Sequence, residues 1–587
     1  AGDSIQSGGN YNTLFGEDAG TAITTGDNNV IVGYDAGDSI TTGLRDTFVG
    51  RDCGQSMTIG VQNVAMGYFA LSSEVEGGQN VAIGDEALSN QNAGGSDGST
   101  ISTYNVAVGS AAGKFLSTGL NNTFIGTHSG RGVDGTPLTG NNNTCLGHNS
   151  GYVLQEGAVR NVIIGSTAGD AQTTAVDNIL MGYAAGGAIT TGGYNCYVGS
   201  YTGDTDTTGK FNVAIGYSAF SNVTTNTSVP QGLPQYNTAI GTYALQDMNL
   251  TDQEVGYGYN TAFGGQAGKE LTTGVYNTLL GYAAGGAGIV TGNHNTCVGH
   301  LSGTDLTSGT YNVCVGTSSG SNITTGLNNV AIGVEALKTN VDGDNNTAVG
   351  YGALLTFEAD SDGHGGNTAV GKDAGEFLST GTGNTFIGNI SGQGITGTKL
   401  EGDNNTCVGH SSGLLLQGAA AGNVIIGADA GKAQTTASNN VIIGYTAGEA
   451  TTTGTSNVFV GKTSGQANTI GTNNTVLGFN AFNSGVEDGR NVAIGFNCLA
   501  YSNSAGSTGS VVNTYNTAVG TEAGLYVSTG THNTFMGGHS GLGITGTKLT
   551  GDYNSCFGSM SGYELEGVAH SNTFLGYQAG STTEAGV

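Results

Sequence analysis

A phrase that returns every seventeen residues leaves a folding chain few options, and one such phrase runs through this sequence from end to end. In Asn29-Val30-Ile31-Val32-Gly33-Tyr34-Asp35-Ala36-Gly37 it is complete. Anchored on its first glycine (position 0), it occurs 31 times between Gly16 and Gly576, most often 17 residues apart. Asn stands at position −4 in every copy except one, where Asp46 replaces it. So short and regular a register means one small structural unit per copy, stacked on its neighbours because it cannot bury its own apolar face.

Positions −3 to −1 read as a short strand: Val30-Ile31-Val32, Thr123-Phe124-Ile125, Val424-Ile425-Ile426. Position −3 is nearly always β-branched, −2 is apolar but variable in size, and −1 is large and apolar. In a strand −3 and −1 point one way and −2 the other, so this strand is apolar on both faces. Such a strand is expected to be covered on both sides. One cover is the interior of the coil. The other must be a second layer or another chain, which is the sequence's best pointer to self-association.

The anchor glycine and a second glycine at +4 frame a corner, with Ala at +3 (Ala19, Ala36, Ala168, Ala447). A second short strand is expected around the apolar residue near +7 (Ile23, Ile40, Leu116, Leu271, Ile323), before a Thr-Thr-Gly or Ser-Thr-Gly turn. Two short strands and two tight turns fit seventeen residues, whereas a helical period does not. The chain is therefore predicted to be all-β, a parallel β-solenoid of about 31 coils with two short strands each. Residues 1–587 read as one continuous array, taken as a segment of a longer or processed chain. At strand spacing, 31 coils would make a rod on the order of 150 Å long.

The recurring Asn is expected to be structural. Asn12, Asn29, Asn63, Asn80, Asn277, Asn329, Asn440, Asn474 and Asn572 represent a ladder in which each amide bonds turn backbone and the equivalent amide one coil away. Ligand sites are few per protein, and this residue recurs in 30 of 31 copies.

Only 10% of residues are charged, and the net charge of −29 reflects the scarcity of Lys and Arg (14 together) rather than acidic blocks. With no basic stripe, nucleic acid is not an expected partner. No apolar run reaches the length of a membrane span, so no membrane insertion is expected. The three prolines fall in lengthened coils, Pro137 in one and Pro230 and Pro234 in another, where a ladder is not interrupted. Coils anchored at 67/84, 216/241, 333/350 and 478/495 replace the +4 glycine with Leu or Phe. Segments 117–186, 379–448 and 528–580 are near-copies, so a longer period overlies the short one.

Chemical motifs are sparse. Cys145, Cys297, Cys314, Cys407 and Cys556 occupy the −2 slot, Cys53 and Cys498 the +3 slot, and Cys196 the −3 slot. These are places for small buried side chains. Only Cys297 and Cys314 share a slot on adjacent coils, where a bridge is geometrically open. Cys145/His148, Cys297/His300 and Cys407/His410 share a C-x-G-H spacing, but residues three apart on a strand diverge and zinc needs four converging ligands. Asp-rich turns at 342–345 and 402–404 are explained by turn chemistry without calcium. Sequons at Asn121, Asn222, Asn249, Asn322 and Asn389 matter only in a glycosylating source. No nucleophile motif or phosphate loop is present, and no cofactor or metal is expected.

The phrases N-V-A-I-G-x-x-A (80–87 and 212–219, and 491–498 with Cys last) and N-T-A-V-G-x-x-A-G (516–524) resemble the head repeats of YadA-like trimeric autotransporter adhesins. They are also similar to Asn/Thr/Gly repeats of phage tail fibres. The resemblance covers nearly the whole chain. It implies a parallel β-roll, three chains side by side, and exposure on a cell or virion surface for attachment.

The reading of the sequence is a non-enzymatic extracellular structural rod: shaft or adhesive head of a surface appendage, phage fibre or filament. Expected partners are copies of itself (trimer or filament) and a cell-surface or glycan ligand. The alternatives are a self-assembling filament subunit without a receptor and an ice- or carbohydrate-binding solenoid, the latter suggested by the stacked Thr pairs.

Overall fold

The computed structural model describes residues 1–94, 98–224, 234–249, 257–286, 288–358, 364–504 and 509–582; Pro230 lies outside them. The described residues contain no helix. The protein is an all-β parallel solenoid of about 31 turns, one three-residue strand per turn, spaced most often by 17 residues. It divides into two compact units, Ala1–His294 and Asn295–Val587. The first carries 15 of the strands and the second 16.

Within each unit, strands of successive coils pair in parallel and in register, Val30-Ile31-Val32 on Thr47-Phe48-Val49 and Val424-Ile425-Ile426 on Val441-Ile442-Ile443. Every −2 side chain in the unit interiors is buried, from Ala65 to Phe459 and Tyr197. The −3 and −1 side chains lie half-buried or exposed on the other face.

Where a second strand was expected, the chain turns instead. Ile23 and Ile40 are fully buried, yet their N–H groups close turns on Gly20 and Gly37 at 3.3 and 3.2 Å. Among the described residues this stretch shows isolated parallel bridges in place of a strand, such as Leu116 with Leu138 and Leu271 with Val290. The reason lies in the corner before it. Residues +2 and +4 both take positive φ, as at Asp35 (53°) and Gly37 (53°), which leaves too little extended chain before the Thr-Thr-Gly turn for a ladder. Among the described residues, two-residue ladders appear beside two of the 25-residue coils, Gly77–Gly78 with Ile101–Ser102 and Asp488–Gly489 with Val512–Asn513. Two of the three near-copies also share an inserted turn closed by antiparallel bridges, Val133–Thr136 and Ile395–Thr398.

The anchor glycine is fixed by two independent constraints. Its φ lies near +135°, a region closed to L side chains, and a Cβ on Gly33 would sit 2.2 Å from the Gly50 carbonyl oxygen. The +4 position is subtler. Leu71, Leu88, Phe220, Leu245, Leu337, Leu354, Phe482 and Leu499 replace glycine there at φ of 47–57° and are fully buried. In seven of these eight coils the −2 residue is alanine, and in the eighth it is Val476. The large +4 side chain therefore fills the interior that a small −2 side chain leaves empty. In the coil that follows such a pair, glycine returns at +4: a Cβ on Gly113 would meet Leu88 Cδ2 at 2.7 Å, and one on Gly524 would meet Leu499 Cδ2 at 2.8 Å. Burial of a leucine outweighs the roughly 1–2 kcal/mol that a left-handed non-glycine residue costs.

Candidate functional site

The interior of the coil holds most of its polar order in one column. Asn29, Asn63, Asn80, Asn329 and Asn440 are fully buried, Asn277 and Asn474 nearly so, and Asn12 and Asn572 in the terminal coils half-buried. Each side chain works in two directions. Its Oδ1 accepts the backbone N–H of the next −4 residue: Asn29 N donates to Asn12 Oδ1 at 2.9 Å and Asn80 N to Asn63 Oδ1 at 3.0 Å. The same contact joins Asn277 to Asn260, Asn329 to Asn312, Asn440 to Asn423, Asn474 to Asn457 and Asn572 to Asn554. The Nδ2 donates to a turn carbonyl about a coil away, Asn12 to Gly26 O (2.8 Å), Asn329 to Gly343 O (2.8 Å) and Asn440 to Gly454 O (2.9 Å). Amides so engaged and so buried face the neighbouring coils rather than a ligand.

Asp46 interrupts this pattern. Its Oδ1 accepts from Asn63 N and Nδ2 at 2.8 and 3.1 Å, but its Oδ2 has no partner among the described residues. Burial pushes its carboxyl up to about 7, against the opposing effect of the two Asn63 bonds. Other acids are buried too, Glu74 fully, and burial shifts two of them strongly. Asp206 accepts from Tyr197 Oη at 2.5 Å and Gly209 N at 2.8 Å, and burial raises it to about 6. Asp488 accepts from Ser502 Oγ at 3.0 Å and is likewise raised to about 6 by burial.

All eight cysteines are free thiols. Cys297 and Cys314 are register partners on adjacent strands, unbridged, and the contact with Cys314 together with burial raises the Cys297 thiol. Cys145, Cys297 and Cys407 point inward while His148, His300 and His410 are exposed, so the C-x-G-H pairs do not converge. The first threonine of each Thr pair donates its hydroxyl to backbone of the next coil, Thr24 to Thr41 O (3.1 Å) and Thr41 to Thr58 O (3.2 Å). Those hydroxyl protons are committed within the coil stack.

What remains for recognition is the outward strand face. Positions −5, −3, −1 and +1 lie on one side of each coil, and the large apolar residues exposed there include Met66, Phe263, Ile332 and Leu477. Between anchors 199 and 281 these four positions carry no charged residue. Aromatic rings concentrate in the same coils. At −5, Tyr194, Phe211, Tyr236, Tyr259, Tyr276 and His294 stack in sequence, centroids 4.8–5.2 Å apart and planes within 14° of parallel. Across the strand, Tyr183, Tyr201, Tyr217 and Tyr243 meet edge to face at 5.2–5.9 Å. Partial desolvation and the neighbouring phenols Tyr257, Tyr236 and Tyr276 raise Tyr259.

This aromatic column was not anticipated from the sequence. Its signal is nonetheless there, an aromatic residue at −5 in five consecutive coils followed by a histidine. The −5 residue is left-handed in coil after coil (Tyr194 62°, Tyr236 58°, Tyr276 61°), a conformation usually associated with Asn or Gly. Backbone bonds to the preceding coil, Tyr276 N to Gly258 O at 2.9 Å for example, hold it there.

Among the described residues no group of three or more His, Cys, Asp or Glu is placed to hold a metal ion, and no helix is long and apolar enough to cross a membrane. A scan against protein-family models returns no match, and a search of curated proteins finds no match either.

Proposed function

We propose that this chain is a non-enzymatic structural solenoid of an extracellular appendage, a shaft or head segment of a cell-surface adhesin, phage fibre or filament, that assembles with copies of itself. One observation carries the reading: the strand of each coil offers its −1 side chain, always large and apolar, to the outside. A monomer rarely leaves so long an apolar stripe uncovered. The interior polar groups are taken up by neighbouring coils, which fits a load-bearing element better than a catalytic one. The likeness of its repeats to adhesin heads and phage-fibre repeats supports the same compartment.

Sedimentation velocity over a range of concentrations tests the assembly. The wild-type chain is expected to form a discrete oligomer, and Ile332→Lys with Leu477→Lys to dissociate it while leaving the circular dichroism unchanged. A wild-type chain that stays monomeric at every concentration refutes self-assembly through this face. Immunogold labelling of the native source tests the location; label confined to cell interiors refutes an extracellular appendage.

A further inference from the structure

Tyr236, Tyr257, Tyr259 and Tyr276 form a dense group of phenols on the surface of the first unit. Tyr236 and Tyr259 are stacked with centroids 5.2 Å apart and planes 6° from parallel; Tyr259 and Tyr276 are 5.1 Å apart at 14°. Tyr257 lies 5.7 Å from Tyr236 and 5.3 Å from Tyr259. The three stacked rings are 40–45% exposed, open to a soluble oxidant. Their backbones hold the same left-handed conformation in successive coils, with φ of 58°, 47° and 61°. Two near-parallel rings in equivalent slots bring their equivalent edges together, so the carbons ortho to each hydroxyl face their counterparts at about the centroid separation.

We propose that this column is an oxidative cross-linking site, where Tyr259 couples to Tyr236 or Tyr276 as dityrosine and joins adjacent coils covalently. The co-substrates are hydrogen peroxide and a one-electron oxidant of the haem-peroxidase class. Each phenol loses one electron and its hydroxyl proton. The two tyrosyl radicals join through their ortho carbons, and each ring returns its ortho hydrogen to oxygen, restoring the phenol. The two hydrogen atoms lost overall reduce one peroxide to two waters. The edge-to-face row Tyr183–Tyr201–Tyr217–Tyr243, with interplanar angles of 76–86°, aims the edge of one ring at the face of the next and does not bring ortho carbons together. Geometry, not exposure, thus selects stacked pairs, Tyr501–Tyr526 in the second unit (5.2 Å, 6°) as well as this group: Tyr11 is 84% exposed and lies far along the chain from both.

The intact chain is treated with a haem peroxidase and hydrogen peroxide, digested, and its cross-linked peptides are mapped by mass spectrometry. An equal mixture of isotopically light and heavy protein separates links within a chain from links between chains. The expected products are intrachain Tyr236–Tyr259 and Tyr259–Tyr276 links, with Tyr501–Tyr526 as a third by the same geometry. Tyr259→Phe, which keeps the stack, should lower the yield of links within this group at least several-fold while sparing Tyr501–Tyr526, and Tyr351→Phe should leave all of them unchanged. Links that track exposure, links found only between chains, or a yield unaffected by Tyr259→Phe would each overturn the proposal.

Discussion

Replacing Asp46 with asparagine restores the ladder residue found in the other coils, and its effect should depend steeply on pH. In the folded chain the Asp46 carboxyl titrates at about 7, raised by burial. In the unfolded chain it titrates near the ordinary aspartate value of about 3.9. Below about pH 4 the carboxyl is protonated in both states and costs nothing. As pH rises further, the unfolded chain releases the proton while the folded chain keeps it, and stability falls by about 1.4 kcal/mol per pH unit. Above about pH 7 the loss levels off at about 4 kcal/mol, three units of separation at 1.36 kcal/mol each. The protonated form has a structural role: in most coils the amide Nδ2 donates to a turn carbonyl, and only a carboxyl that keeps its hydrogen can do the same through the unpartnered Oδ2. Asp46→Asn supplies that donor at every pH. The variant and wild type should therefore match near pH 4 and diverge by about 2–4 kcal/mol in favour of the variant at pH 8. A long solenoid does not unfold in one step, so the measurement must be local. Hydrogen exchange at Val30, Thr47 and Asn63, corrected for intrinsic rates, reads the stability of the coils on either side. Parallel pH profiles for the two proteins, or a variant less protected at pH 8, would refute the reasoning.

Two other substitutions test the corners. Gly333→Ala would place its Cβ 2.4 Å from the Gly350 carbonyl oxygen at a φ of +132°, and should open the flanking coils by several kcal/mol, visible as new cleavage in limited proteolysis. At Leu337, φ of 51° and full burial oppose each other, so glycine should be less harmful than alanine. Leu337→Ala loses about 2–5 kcal/mol of packing, and Leu337→Gly regains about 1 kcal/mol of that through relief of backbone strain. Local exchange protection ranks the pair, and the reverse order refutes the account of the +4 position.

Much of the architecture was legible because the repeat fixes equivalence before any geometry is known. The parallel register, the strand at −3 to −1 and the inward −2 slot follow from period and alternation alone. The second strand did not follow. Ile40 and its equivalents carry a strand-like residue type, but backbone conformation at +2 and +4 is set by bonds to neighbouring coils, Asp35 N to Glu17 O in the coil before and Gly37 N to Cys53 O in the coil after, and residue type is a poor guide there. Tyr, Phe, Leu and Asp all adopt the left-handed conformation when their N–H groups are pinned to a neighbouring coil. The pairing of alanine at −2 with leucine at +4 was readable in principle, as two columns that vary together in volume. The aromatic column was readable as well, but only by comparing one slot across coils rather than reading along the chain.

The close approach at the anchor corners has a corollary for how such a chain changes over generations. At the anchor Gly576 no described atom lies within 4 Å of where the Cβ would be, because no described coil stacks beyond it. The steric half of the prohibition is thus imposed by whatever is laid on top. A duplicated winding comes under it only when another is added, and at that moment the one beneath loses its freedom to drift. Length then changes by whole windings, which leave each anchor contact intact, or in the turns, where the lengthened coils carry their extra residues.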